Sequence, residues 1–139
     1  MPNMTPNKFG SRTSTIIFTA LLCFFSVAAL AQGGTVTERR IRFARGRTTA
    51  VEKGAIAYAH SDVYTLGARR GQTMSLHIAS ANRQVVFSLT APSGTPVEGA
   101  FTVRDWSGEL PESGDYTITV VNNREHSAAS AYTLEVTIR

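Results

Sequence analysis

The sequence predicts an all-β fold, an antiparallel β-sandwich of about eight strands, preceded by a cleavable N-terminal signal peptide. Three observations carry this. From Thr37 onward, apolar and polar residues alternate with a period of two. Turn signals built on Gly, Pro and Ser interrupt that alternation roughly every ten positions. No stretch after the signal has a helical period over the length of an ordinary helix.

Residues 1–31 carry the parts of a secretory signal in order: Lys8 and Arg12 give a positive start, an apolar stretch runs from Ile16 to Leu30, and Ala29 and Ala31 flank a cut before Gln32. The apolar stretch, broken by Thr19 and Ser26, is shorter than the roughly 20 residues needed to cross a bilayer. No membrane span is therefore expected in the mature chain. Removing 31 of the 139 residues leaves 108, read as one domain over 32–139. The only cysteine, Cys23, falls in the signal, so packing alone must stabilise the mature domain. Lys8 and Arg12 are two of the 14 basic residues, and the remaining 12 against 10 acidic ones leave a mature charge of +2. The charge is unevenly spread. Arg39, Arg40, Arg42, Arg45, Arg47, Lys53, Arg69 and Arg70 lie early, and Asp105, Glu109, Glu112 and Asp115 crowd a later stretch.

The first strand is expected around Ile41 and Phe43, which alternate with Arg40, Arg42 and Ala44 and stop at Gly46. Residues 55–59 and 63–68 read as the next pair. The Arg69-Arg70-Gly71-Gln72 run reads as the turn of a hairpin into Met74, Leu76 and Ile78. Val85, Phe87 and Leu89 are the inward set of a further strand, which the prolines and glycine of 91–96 end. A weaker strand is expected over 100–104. Tyr116, Ile118 and Val120, and then Tyr132, Leu134, Val136 and Ile138, define two strong closing strands around a polar loop at 122–130.

No catalytic or metal centre emerges. His60, His77 and His126 share no metal-ligand spacing, and no nucleophile sits in a strand-turn-helix context. The chain reads as a non-enzyme with no cofactor and no nucleic-acid partner. The carboxylates of 105–115 leave a hard cation such as calcium open, although their spacing matches no calcium loop. Trp106 has two readings, a platform for a sugar ring or a cover over an open end of the sandwich. Leu110-Pro111-Glu112-Ser113-Gly114-Asp115-Tyr116 also has two. Tyr116 is either a buried corner in phase with Ile118, or part of a stiff projecting loop that offers Ser113, Gly114 and its own hydroxyl to a partner.

Several stretches resemble the periplasmic inhibitors of g-type lysozyme, a family of small β-sandwiches with a Ser-Gly-x-Tyr loop. They are residues 43–50, with Gly54-Ala55-Ile56 after them; Asp62-Val63-Tyr64-Thr65 and Ala68-Arg69-Arg70-Gly71-Gln72; the 110–116 segment; and Tyr132-Thr133-Leu134. Pre-peptidase C-terminal domains share the Asp-x-Tyr, Gly-Gln and Leu-Pro-x-Ser-Gly-x-Tyr punctuation. A domain behind its own signal, and the 43–50 pattern, favour the inhibitors. The resemblance implies a periplasmic protein whose partner is a g-type lysozyme. Ser113, Gly114 and Tyr116 would enter the substrate cleft and occupy its catalytic carboxylic acid. Arg124, in a loop read as neighbouring, would add a charge-assisted hydrogen bond. The acidic stretch would speed encounter with a cationic target, leaving the basic half to face away. The alternative is a non-catalytic envelope module that binds carbohydrate or phosphate-bearing polymer.

Overall fold

A computed structural model describes residues 33–125 and 128–139. The signal segment 1–31 and His126 lie outside the described residues. Eight strands follow in order: β1 (Val36–Arg40), β2 (Thr49–Ile56), β3 (Ser61–Ala68), β4 (Thr73–Ser80), β5 (Val85–Thr90), β6 (Asp105–Glu109), β7 (Gly114–Asn122) and β8 (Ser130–Ile138). They form two four-stranded sheets, ordered β1-β3-β7-β5 and β2-β8-β4-β6. The chain is an all-β sandwich, and among the described residues no helix is long and apolar enough to cross a membrane.

The alternation places the core where the period predicts. Tyr64 and Leu66, Met74, Leu76 and Ile78, Val85, Phe87 and Leu89, Tyr116, Ile118 and Val120, and Tyr132, Leu134 and Val136 are all buried between the sheets. Each large apolar side chain enclosed there contributes about 1.5–3 kcal/mol relative to exposure. The outer phase of the same strands is mostly threonine, serine and charged residues, with Val63, Val86 and Val121 among them on the first sheet.

The pairing differs from the sequence expectation in four places. The 69–72 turn forms where expected but is not a hairpin, because β3 pairs with β1 and β7 whereas β4 pairs with β8 and β6. The chain crosses there from one sheet to the other. The second strand is longer and earlier than 55–59, and it pairs with β8 rather than with β3. The first strand lies at 36–40 and runs parallel to β3, with Ile41 N–H continuing the ladder to the Thr65 carbonyl at 2.8 Å. The strand expected over 100–104 is instead a bent segment held to β5 by one bridge at Val103, since Thr102 adopts φ +55° and breaks the extension. The sixth strand follows at 105–109, inside the stretch read as an acidic connection.

Candidate functional site

The strand directions bring the 41–48, 69–72 and 110–113 links to one pole of the sandwich. The end of β5 and the 91–96 turn meet them there. The 110–113 link is held at every residue. Leu110 is buried, and its N–H bonds the Gln72 carbonyl at 2.8 Å while its carbonyl accepts Gly71 N–H at 2.9 Å. Pro111 fixes its own φ. The Glu112 carboxylate accepts the Ser93 N–H at 3.0 Å and the Ser93 hydroxyl at 2.7 Å. Its main chain is clasped from inside, because the Tyr116 hydroxyl donates to the Glu112 carbonyl at 2.8 Å and accepts the Glu112 N–H at 3.0 Å.

Tyr116 itself has no exposed surface. Of its two sequence readings, the structure has the buried corner, with the hydroxyl directed at the loop's own backbone. Ser113 is exposed, and its Oγ accepts the Arg70 N–H at 2.9 Å, which leaves the hydroxyl proton available to donate outward. Gly114 has φ +139°, and a Cβ there would lie 2.9 Å from Pro92 Cβ, so glycine is required both by conformation and by contact.

Beside the loop, the Arg40 guanidinium grips Asp115 through two parallel bonds of 2.9 and 2.8 Å. The hydrogen bond from Arg40, with its charge, holds the Asp115 carboxyl below the ordinary carboxylate range. Gly67 lies beneath this pair, where a Cβ would sit 3.5 Å from Asp115 Oδ1 and 3.6 Å from Arg40 Nη2.

Arg124 is not at this pole. It follows the far end of β7, a nine-residue strand that separates it from Ser113 by roughly 30 Å at about 3.3 Å per residue. Its N–H bonds Asn122 Oδ1 at 3.0 Å, and the nearby Glu125 carboxylate accepts the Tyr58 hydroxyl at 3.2 Å. The reading of the 122–130 loop as a neighbour of the Ser113 loop is therefore corrected by the direction of the strand between them. The basic half does not face away either, since Arg40 and Arg70 touch the loop directly.

The acidic stretch is dispersed rather than convergent. Asp105 pairs with His77 on the outer face of the second sheet, Glu112 binds Ser93, and Asp115 binds Arg40. Among the described residues no group of three or more His, Asp or Glu side chains is arranged to hold a metal. His60 Nδ1 accepts Thr35 N–H at 3.2 Å. Trp106 is half-buried in phase with Leu76, and its N–H donates to the Glu98 carbonyl at 3.0 Å, so its ring covers the side of the sandwich.

One polar cluster was only half legible. Asp62 shares the inward phase of Tyr64 and Leu66, and that phase was the available signal. The structure buries it against the Tyr132 hydroxyl at 2.5 Å, which also meets the Tyr64 hydroxyl at 2.7 Å. Burial first, then the bond to Asp62, pushes the Tyr132 hydroxyl well above the ordinary tyrosine range.

Fold and loop together define a class of structure, a small β-sandwich that presents a braced loop at one pole. The chain is similar to Aeromonas hydrophila PliG, a periplasmic lysozyme inhibitor of g-type lysozyme, at 27% identity and a TM-score of 0.66 over 76% of this chain and 99% of that one. It is similar to Salmonella Typhimurium PliG at 21% identity and a TM-score of 0.57, over 74% of this chain and 98% of that one. The pre-peptidase C-terminal domain of a Bacillus anthracis collagenase shares the fold at 13% identity and a TM-score of 0.50, over 76% of this chain and 96% of that one. No family model and no curated protein sequence matches the chain.

Proposed function

We propose that this protein is a periplasmic, non-catalytic inhibitor of g-type lysozyme and that the Ser113 loop occupies the lysozyme's substrate cleft. The observation that carries the reading is the likeness to the Aeromonas hydrophila inhibitor over 99% of that protein's length. Both identity and TM-score exceed those of the collagenase domain, which favours the inhibitor over an appended module.

The loop geometry supports the same reading. A glycosidase cleft contains a carboxylic acid that protonates the leaving oxygen. Ser113 presents a hydroxyl donor to such a group, and Gly114 beside it lets a partner approach the backbone. The loop is already held by Tyr116, Ser93, Arg70 and Pro92, so binding orders few additional torsions and retains more of its contact energy. Tyr116 is a positioning residue behind the contact surface, not part of it. Arg124, at the opposite pole, stands outside a contact centred on this loop.

The purified protein, titrated against a g-type lysozyme on cell-wall substrate, is expected to abolish activity stoichiometrically and to co-elute with the enzyme. Full lysozyme activity at a large molar excess of the protein would overturn the proposal.

A further inference from the structure

We infer that Arg42, Arg45, Arg47, Arg69 and Arg70 form a cationic rim around the Ser113 loop that docks onto carboxylates bordering the partner's cleft. This inference rests on the lysozyme reading and specifies the chemistry of the partner's surface.

All five arginines are exposed, and they lie on the two links that share the pole with the loop. Adjoining grooves connect Arg69 on one link with Arg47 on the other. One groove is lined by Arg69, Gln72, Gly114 and Asp115 and another by Phe43, Arg47, Thr48 and Gln72, with Gln72 and Gly67 common to both. The Arg70 backbone is bonded to Ser113 itself. On the first link, Arg47 N–H closes on the Ala44 carbonyl at 2.9 Å and Gly46 takes φ +74°, forming a tight turn that sets Arg45 and Arg47 apart from the sheet.

Among the described residues, none of these guanidinium groups has an acidic partner. Among the described residues the ion pairs are Arg40 with Asp115 and His77 with Asp105, and the two carboxylates of the loop are engaged by Arg40 and by Ser93. Five like charges at one pole repel one another, a cost that an acidic partner would relieve. Their composition is also selective. The described residues contain one lysine, Lys53 on β2, and every cation on these two links is an arginine, whose planar fork matches a carboxylate with two parallel bonds. The two links therefore present guanidinium forks beside the Ser113 hydroxyl, with Asp115 paired to Arg40 and with Glu109 and Glu112 lining a separate groove against Trp106 and Pro111, and the complement of the forks is an acidic surface. This reverses the electrostatics expected from the acidic stretch.

The test is the rate of association with g-type lysozyme as salt is raised from about 20 to about 500 mM, which shortens the screening length to a few ångströms. The rate for the wild-type protein is expected to fall about tenfold or more. The variants Arg45→Glu/Arg47→Glu and Arg69→Glu should each lower it about tenfold at low salt and flatten its salt dependence, while melting as the wild type does. Inhibition that is independent of salt and unchanged in both variants would overturn the rim but leave the lysozyme reading standing. Salt-labile binding to phosphatidylglycerol vesicles, lost in the variants while their inhibition is intact, would overturn it in favour of a phosphate-bearing surface. Absence of inhibition by the wild type would overturn both readings.

Discussion

At the scale of single residues, Ser113 and Tyr116 separate contact from support. Ser113 is exposed, and its hydroxyl accepts one backbone N–H, so Ser113→Ala removes a donor from the surface and little from the fold. Inhibition is expected to weaken about tenfold, the equivalent of one hydrogen bond of about 1.4 kcal/mol, and the melting temperature to fall less than in Tyr116→Phe, because only one exposed brace to Arg70 is lost. Tyr116→Phe keeps the buried ring and removes both bonds to Glu112. It should cost about 1–2 kcal/mol of stability and weaken inhibition together, because the loop loses its inner clasp. Thermal melts run beside inhibition titrations check both variants, and a Tyr116→Phe protein that melts normally would remove Tyr116 from this supporting role. The burial of Tyr116 was legible in its phase with Ile118 and Val120. The braces on Ser113 and Glu112 were not, since Arg70 and Ser93 are distant in sequence and turn residues carry no record of which turns meet.

At the scale of strands, alternation specifies which face of each strand is inward but not which strand lies beside it. Leu66 and Met74 point inward whether the 69–72 link folds back within one sheet or crosses the roughly 10 Å to the other, so the sequence pattern is the same for a hairpin and for the crossing observed. β6 was hidden for another reason: Trp106 is its one large inward side chain, and its extension depends on pairing with β4. β1 is a short parallel edge strand that the Arg40–Asp115 pair ties, across β3, to β7. Because the folded Asp115 carboxyl is held below its unfolded value, the tie is fully present above the ordinary carboxylate pKa of about 3.9 and is lost as pH falls through the lower folded value. Amide exchange in β1 should therefore accelerate below about pH 4. Arg40→Ala should show the faster exchange already at neutral pH, with no further pH step. Identical exchange in the wild type and Arg40→Ala at neutral pH would show that the pair does not hold the strand.

At the scale of the whole molecule, the sequence was most informative: eight strands in two layers follow from the period and the turns. What joins the layers is less visible, because no cysteine lies in the 32–139 segment to staple them. Apolar packing supplies most of the adhesion, and Asp62–Tyr132–Tyr64 is its polar complement, with Asp62 and Tyr64 on β3 of one sheet and Tyr132 on β8 of the other. The central hydroxyl is the shared member, so the two ends of the cluster should respond unequally to loss of one oxygen. Tyr132→Phe leaves the Asp62 carboxylate buried without that donor, and is expected to cost about 1–3 kcal/mol, which corresponds to a fall of at least about 4 °C in melting temperature for a domain of this size. Tyr64→Phe leaves the Asp62 bond in place and should cost less, about 1 kcal/mol or below. Gly54→Ala offers an independent approach to the same centre, since its Cβ would lie 2.6 Å from the Tyr132 hydroxyl and ring and displace both. Thermal melts at neutral pH order the three variants. Equal losses in Tyr132→Phe and Tyr64→Phe would show that Asp62 finds another donor when Tyr132 withdraws, and that the sheets are joined by packing alone.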